Sequence, residues 1–184
     1  MPIIMVTGGA RSGKSELAED IALKKGVHSV LYIATSIPFD DEMKDRVKRH
    51  RERRPSEWET VEAYKGIHDI IAKSDKKVIL LDCLTIMISN HLLEVDMAWD
   101  NMSIDDIDDI ERKVGIEVDK MIDSAKSYNG DVIIVTNEIG MGLVPEYKLG
   151  RIFRDIAGRM NKKVASAADI VYFMVSGIPL KIKG

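Results

Sequence analysis

Five short apolar runs recur along the chain: PIIMVT from Pro2 to Thr7, SVLYIAT from Ser29 to Thr35, KVILLD from Lys77 to Asp82, DVIIVTN from Asp131 to Asn137, and IVYFMVS from Ile170 to Ser176. Each is rich in β-branched residues and apolar almost throughout, the pattern of a parallel strand buried on both faces. Such a sheet needs helices over it, and segments of helical period lie between the runs, at 14–25, 40–53, 64–73, 85–94, 104–127 and 146–168. The predicted fold is α/β, a mostly parallel central sheet with helices on both faces. WETVE, from Trp58 to Glu62, is shorter and alternates, as an extra or edge strand would. The last helical segment carries Leu149, Ile152, Phe153, Ile156, Met160 and Val164 at steps of three and four, a stripe that covers the sheet. The acidic stretch DMAWDNMSIDDIDDIE from Asp96 reads as a connection and then a helix start, with Ser103 as N-cap and acids in the first turn.

With 184 residues, 45% hydrophobic and 31% charged, the chain is expected to form one globular domain spanning 1–184. A net charge of −3 argues against nucleic-acid or membrane-surface partners, which favour a basic field. The lone cysteine, Cys83, lies in an apolar run and reads as a small core residue in a reducing compartment. MPIIMVTGG lacks the basic start of a signal peptide, and no window approaches the roughly 18 apolar residues of a membrane span. The expectation is a soluble, cytoplasmic protein.

Directly after the first strand comes GGARSGKS: Gly8, Gly9, Ala10, Arg11, Ser12, Gly13, Lys14 and Ser15. It fits G-x-x-x-x-G-K-[ST], and a strand before with a helix after is the context that gives the pattern meaning. Glycines let backbone N–H groups turn inward around phosphates, and the following helix adds its positive end. Lys14 would reach the β- and γ-phosphates and Ser15 would ligate Mg²⁺, so the expected architecture is P-loop NTPase-like. A second acid at the end of a neighbouring strand usually helps to organise magnesium, and Asp82 ends KVILLD. The plainer alternative is Asp82 as the cap of the helix that follows, near Thr85. Asn137 and Glu138 end another strand at the carboxyl edge; Glu138 reads either as a metal or water contact or as loop structure. The guanine-reading Asn-Lys-x-Asp motif of GTPase switches is absent from the sequence, which favours a small-molecule phosphotransferase.

From Lys44 to Arg54, KDRVKRHRERR, seven Lys or Arg face two acids, and His50 sits among them. On a helix His50 shares a face with Met43, Arg46, Val47, Arg53 and Arg54. Cationic neighbours disfavour imidazolium, leaving a neutral nucleophilic ring beside guanidiniums that grip phosphate. A solvated helix face is the plain alternative. His28, His68 and His91 have no such setting, and no His-Cys or His-x-x-x-His pair suggests zinc.

Taken together, VTGGARSGKS, LYIATS, DDEM, RVKRHRERRP, WETVE, LLDCLT, SN, VTNEIGMGLVPEYKLGRIFRDIAGRMN and SGIPLKIK resemble, in order and spacing, the bifunctional adenosylcobinamide kinase/adenosylcobinamide-phosphate guanylyltransferases of cobalamin biosynthesis. The resemblance runs from Ile3 to Lys183; its specific parts are the H-R-x-x-R-P segment and the V-T-N-E-[IV]-G-x-G-[LIV]-V-P block. It implies Mg²⁺, with GTP and ATP as substrates, and two reactions. ATP or GTP phosphorylates the corrinoid adenosylcobinamide on the hydroxyl of its aminopropanol arm. A histidine then attacks the α-phosphorus of GTP, expels pyrophosphate, and passes GMP to the cobinamide phosphate. By resemblance that histidine is His50, and the nucleotide contacts fall on Gly8 to Ser15, Thr35, Ser36, Arg53, Arg54, Glu62 and Asp82. Relatives form homotrimers. Lys162 stands where relatives often carry Gln, and NMSIDDIDD is an unusually acidic version of a variable region. Two other readings stay open from the residues: a plain P-loop kinase without a covalent step, and a nucleotide-dependent regulatory module.

Overall fold

The computed structural model describes residues 2–36, 55–95 and 98–184. The elements are β1 (Ile3–Gly8), α1 (Lys14–Gly26), β2 (Val30–Ala34), β3 (Glu59–Glu62), α2 (Ile67–Lys73), β4 (Val78–Asp82), α3 (Leu84–Leu93), a 3₁₀ turn (Trp99–Asn101), α4 (Ile104–Ser127), β5 (Asp131–Asn137), α5 (Lys148–Ala167), β6 (Ile170–Val175) and β7 (Ile178–Lys183). The strands form one sheet in the order β3-β2-β4-β5-β1-β6-β7. All pairings are parallel except that of β6 with β7.

The sheet is apolar on both faces because each central strand sends alternate residues each way. Ile4, Val6, Tyr32, Val78, Leu80, Ile133 and Val135 pack on the side where α1 lies. Ile3, Met5, Leu31, Ile33, Ile79, Leu81 and Ile134 pack on the side covered by α2 to α5. α1 approaches closely through small residues: Ala18 and Ala22 are buried, and a Cβ on Gly26 would stand 2.8 Å from Val30 Cγ2. On α5, Ile152, Ile156, Met160 and Val164 of the expected stripe are buried, while Leu149 and Phe153 are half-buried.

The α/β architecture with helices on both faces is as the sequence predicts, and WETVE supplies the edge strand β3. α2 starts three residues after the expected 64 because Gly66 adopts a left-handed φ of 63° just before it. α4 has a complete capping box: Ser103 Oγ accepts from Asp106 N at 3.1 Å, and Asp106 Oδ2 accepts from Ser103 N at 3.0 Å. β7 was not among the expected strands; it returns through a turn in which Ser176 and Gly177 have φ of 50° and 83°, as two-residue hairpins require. The expected helix over 40–53 lies outside the described residues. Among the described residues, no helix is long and apolar enough to cross a membrane.

Candidate functional site

The carboxyl ends of the parallel strands meet on one edge, and α1 begins there. β1 delivers Gly8, the loop turns through Gly9 to Gly13, and Lys14 opens the helix. A side chain at Gly8 would place Cβ 2.5 Å from the carbonyl oxygen of Met174 on β6, so the loop leaves the sheet through a gap that only glycine fits. Gly13 takes φ 91° at the helix N-cap, also a glycine conformation. From the outer side the β6–β7 turn braces the loop, Gly177 N donating to Ser12 O at 3.1 Å. Lys14 is buried, and its Nζ donates to Gly9 O across the loop. Burial pushes its ammonium pKa down, against the opposing pull of Asp82 and Glu16. The hydroxyl of Ser12 is buried inside the loop, with no hydrogen-bond partner among the described residues. Ser15 is half-buried, and Gly9, Ala10 and Arg11 are exposed.

Asp82 ends β4, but β4 is not the neighbour of β1: β5 lies between them. The sequence expectation of an acid on an adjacent strand is corrected to one strand further away. Strand alternation nevertheless turns Asp82 to the α1 side, with Leu80 and Val78, where its charge acts on Lys14. The capping reading of Asp82 falls away, since α3 starts at Leu84 with Cys83 as N-cap and no side-chain cap. The Asp82 carboxylate instead accepts at 2.7 Å from the OH of Tyr32, a buried residue of β2, three strands from the phosphate loop's own strand, on the same face. The following corner is held from β2: Thr35 Oγ1 donates to Cys83 O and accepts from Cys83 N, both at 2.8 Å. Asn90 Nδ2 in turn donates to Thr35 O at 2.7 Å. Cys83 is buried, and desolvation pushes its thiol up to about 11, so it stays protonated at neutral pH.

β5 brings Asn137 and Glu138 to the edge between these two halves. Glu138 N donates to Gly8 O at 2.9 Å, extending the ladder to the phosphate loop. Its carboxylate accepts from Gly140 N at 2.7 Å, a use inside its own turn that favours the loop-structure reading. Asn137 Nδ2 donates to Thr85 Oγ1 at 2.8 Å, and Asn137 O accepts from Asn161 Nδ2 at 3.0 Å. On β3, Glu62 is exposed and in register with Ala34, which is in register with Asp82, so all three face the α1 side.

The family model for cobinamide kinase / cobinamide phosphate guanyltransferase matches residues 4–182. The chain belongs to this family. It is 45% identical over 188 aligned residues to the bifunctional adenosylcobalamin biosynthesis protein CobU of Escherichia coli K12, covering 98% of this chain and 99% of that one. The CobU of Salmonella typhimurium is 44% identical with the same coverage. The bifunctional adenosylcobalamin biosynthesis protein CobP of Pseudomonas aeruginosa is 36% identical over 98% of this chain and 96% of its own.

Of the residues singled out in this family member, Gly8 to Ser15, Thr35, Ser36, Glu62 and Asp82 gather along one edge of the sheet. His50, Arg53 and Arg54, with Arg46, lie outside the described residues. Tyr32, Thr85, Asn90, Thr136 and Asn161 also bond around this edge, with no such role expected from the sequence. For Thr136 and Asn161 a signal was present: each interrupts an otherwise apolar buried pattern, and both are buried.

Proposed function

We propose that this chain phosphorylates adenosylcobinamide with a nucleoside triphosphate and then converts the product with GTP to adenosylcobinamide-GDP. The observation that carries the reading is a built phosphate loop with buried Lys14, facing Asp82 on the same side of the sheet, in a chain of this family. Gly8 to Ser15 cradle the triphosphate through backbone N–H groups and the start of α1, and Lys14 neutralises charge on the β- and γ-phosphates. The corrinoid hydroxyl oxygen bonds the γ-phosphorus as the β,γ-bridging bond breaks, the hydroxyl proton is released, and the nucleoside diphosphate leaves.

The donor set fits magnesium. Ser15 and Asp82 offer hard oxygens, and among the described residues no group of three His, Cys, Asp or Glu could enclose an ion alone. Magnesium in phosphoryl transfer is held by one or two protein oxygens together with substrate phosphates. When bound, it supplies neutralisation of phosphate charge. Tyr32 holds one Asp82 oxygen and so orients the carboxylate.

In the second reaction a nitrogen of His50 attacks the α-phosphorus of GTP, forming a P–N bond as the α,β-bridging bond breaks and pyrophosphate leaves. The phosphate of the corrinoid then displaces the histidine. Arg53 and Arg54 grip the departing charge, Ser36 and the main chain at Thr35 line the nucleotide site, and Glu62 accepts hydrogen bonds from the guanine N1–H and amine. The protein works as a cytoplasmic homotrimer. These roles are tested with GTP labelled at the α- or γ-phosphorus and Mg²⁺, followed by denaturation. Acid-labile, alkali-stable label from the α position only, absent in His50→Ala, is expected. Folded, active protein without α-label would reduce the reading to a plain P-loop kinase.

A further inference from the structure

We infer that Asn137 is a positioning residue: its side-chain amide ties the first turn of α3, and with it the Asp82–Cys83 corner, to the end of β5, which pairs in turn with the strand that carries the phosphate loop. This rests on the reading of Lys14 and Asp82 as the two sides of the transfer site. Those sides stand on β1 and β4, with β5 between them, so their separation is set by whatever fixes the end of β5 to each. Towards β1 the fixture is main chain: Asn137 is in register with Gly8, and Glu138 N donates to Gly8 O at 2.9 Å. Towards β4 the paired register stops at Asp82 opposite Val135, two residues short of Asn137.

Beyond that point side chains take over. Thr85 Oγ1, buried in the first turn of α3, receives Asn137 Nδ2 at 2.8 Å and Asn137 N at 3.3 Å. With two donors directed at it, its own proton is left for Cys83 Sγ, 3.3 Å away. The Cys83 main chain is already clasped by Thr35 from β2. The corner that presents Asp82 is therefore held from β2 by Thr35 and from β5 by Asn137.

Asn137 is itself anchored from the core. Asn161 Nδ2 of α5 donates to Asn137 O at 3.0 Å, and Asn161 Oδ1 accepts from Thr136 Oγ1 at 2.6 Å. Thr136 is wholly buried and Asn161 nearly so. A satisfied polar pair in an apolar interior permits few alternative arrangements, which makes it a rigid support. Sub-ångström placement matters here, because transfer to an in-line nucleophile depends on geometry more than on covalent help from the protein.

The test is steady-state kinase kinetics with adenosylcobinamide and ATP on the full chain, for Asn137→Ala, Thr85→Val, Thr85→Ser and the double variant Asn137→Ala/Thr85→Val, with nucleotide binding and melting curves alongside. Asn137→Ala and Thr85→Val should each lower kcat about tenfold while KM for ATP stays within about twofold. Because both remove the same clasp, the double variant should be no slower than the slower single one. Thr85→Ser, which keeps the hydroxyl, should retain wild-type kcat. A double variant slower by the product of the single effects, an impaired Thr85→Ser, or a rise in KM with kcat unchanged would each overturn the inference. If Thr85→Val does not fold, Asn137→Ala and Thr85→Ser decide the matter, since the first alters a half-buried edge residue and the second removes one methyl group. Full kinase activity in Lys14→Ala would instead refute the underlying reading of the site.

Discussion

Asn161→Leu is expected to destabilise the protein by about 2 kcal/mol, and the size can be built from its two hydrogen bonds. Thr136 is wholly buried and its hydroxyl spends its single proton on Asn161, so the leucine leaves that donor without a partner among the described residues. An orphaned buried polar group costs about 1–3 kcal/mol, and complete burial puts Thr136 near 2. Asn137 O also loses Asn161 Nδ2, but Asn137 is half-buried at the sheet edge and water can replace the bond, for about 1 kcal/mol. The extra apolar surface of leucine returns about 1 kcal/mol. For a chain of 184 residues, 2 kcal/mol lowers Tm by about 4–8 °C.

The decisive comparison is Thr136→Val/Asn161→Leu. Replacing both partners of a buried hydrogen bond with apolar groups of similar shape is nearly neutral, so the double variant should be more stable than Asn161→Leu alone, by about 1 kcal/mol or more. Urea unfolding followed by circular dichroism gives the midpoints, and an unchanged m-value keeps them comparable. A double variant less stable than Asn161→Leu, by the separate cost of Thr136→Val, would show that the two side chains do not depend on each other and refute the reasoning.

Gly8→Ala should cost at least about 2 kcal/mol, because its Cβ would meet the Met174 carbonyl oxygen at 2.5 Å in a backbone neighbour that cannot swing aside. Gly9→Ala, where a Cβ meets nothing within 4 Å among the described residues, should melt within about 1 °C of wild type, and equal melting points for the two would remove this account of the loop. Cys83 should resist iodoacetamide at pH 8 in the native protein and react at once in guanidinium, since its thiol pKa is about 11 and the side chain is buried. The folded thiol loses its proton later than the unfolded one, at 9.0, so its contribution to stability is whole below pH 9 and declines as pH rises towards 11. Cys83→Ala should flatten that alkaline decline in urea midpoints, and an unaltered slope would assign the decline to other groups.

Central strands were legible in the sequence because burial on both faces leaves no choice of residue: Ile3 to Val6, Val78 to Leu81 and Val132 to Val135 are all buried. β7 was not legible for the converse reason. All six of its residues are exposed, Ile178, Leu180 and Ile182 alternate with Pro179, Lys181 and Lys183, and nothing in that pattern separates an outer hairpin strand from a tail. Pro179 lacks a backbone donor and fits only an edge strand, which β7 is. α2 starts later than the helical period suggests, because Tyr64 and Lys65 continue that period whereas Gly66 sets the boundary by its backbone.

In the site, the phosphate loop was legible because close backbone approach demands glycine at fixed spacing, as the gap at Gly8 shows. The relation between that loop and Asp82 was not, since strand order follows from long-range packing and leaves no periodic trace in sequence. β5 enters between them, and this one fact gives the hidden polar residues their purpose. A main-chain ladder fixes strands laterally only as far as the shorter partner runs, and between β4 and β5 it ends at Asp82, one side of the proposed transfer site. Past that end the main chain still reaches the corner from β2, Thr35 N donating to Asp82 O at 3.0 Å, and side chains complete the hold. Thr35, Thr85 and Asn137 do so at the surface of the core, and Thr136 and Asn161 anchor them from within it. A stripe analysis that counts only apolar residues passes over such positions, because a polar residue that completes its hydrogen bonds in a core weakens the hydrophobic pattern while strengthening the fold's specificity. The place to look for them is therefore the polar interruption of a buried run near a strand end, which is where Thr136 and Asn137 stand in DVIIVTN.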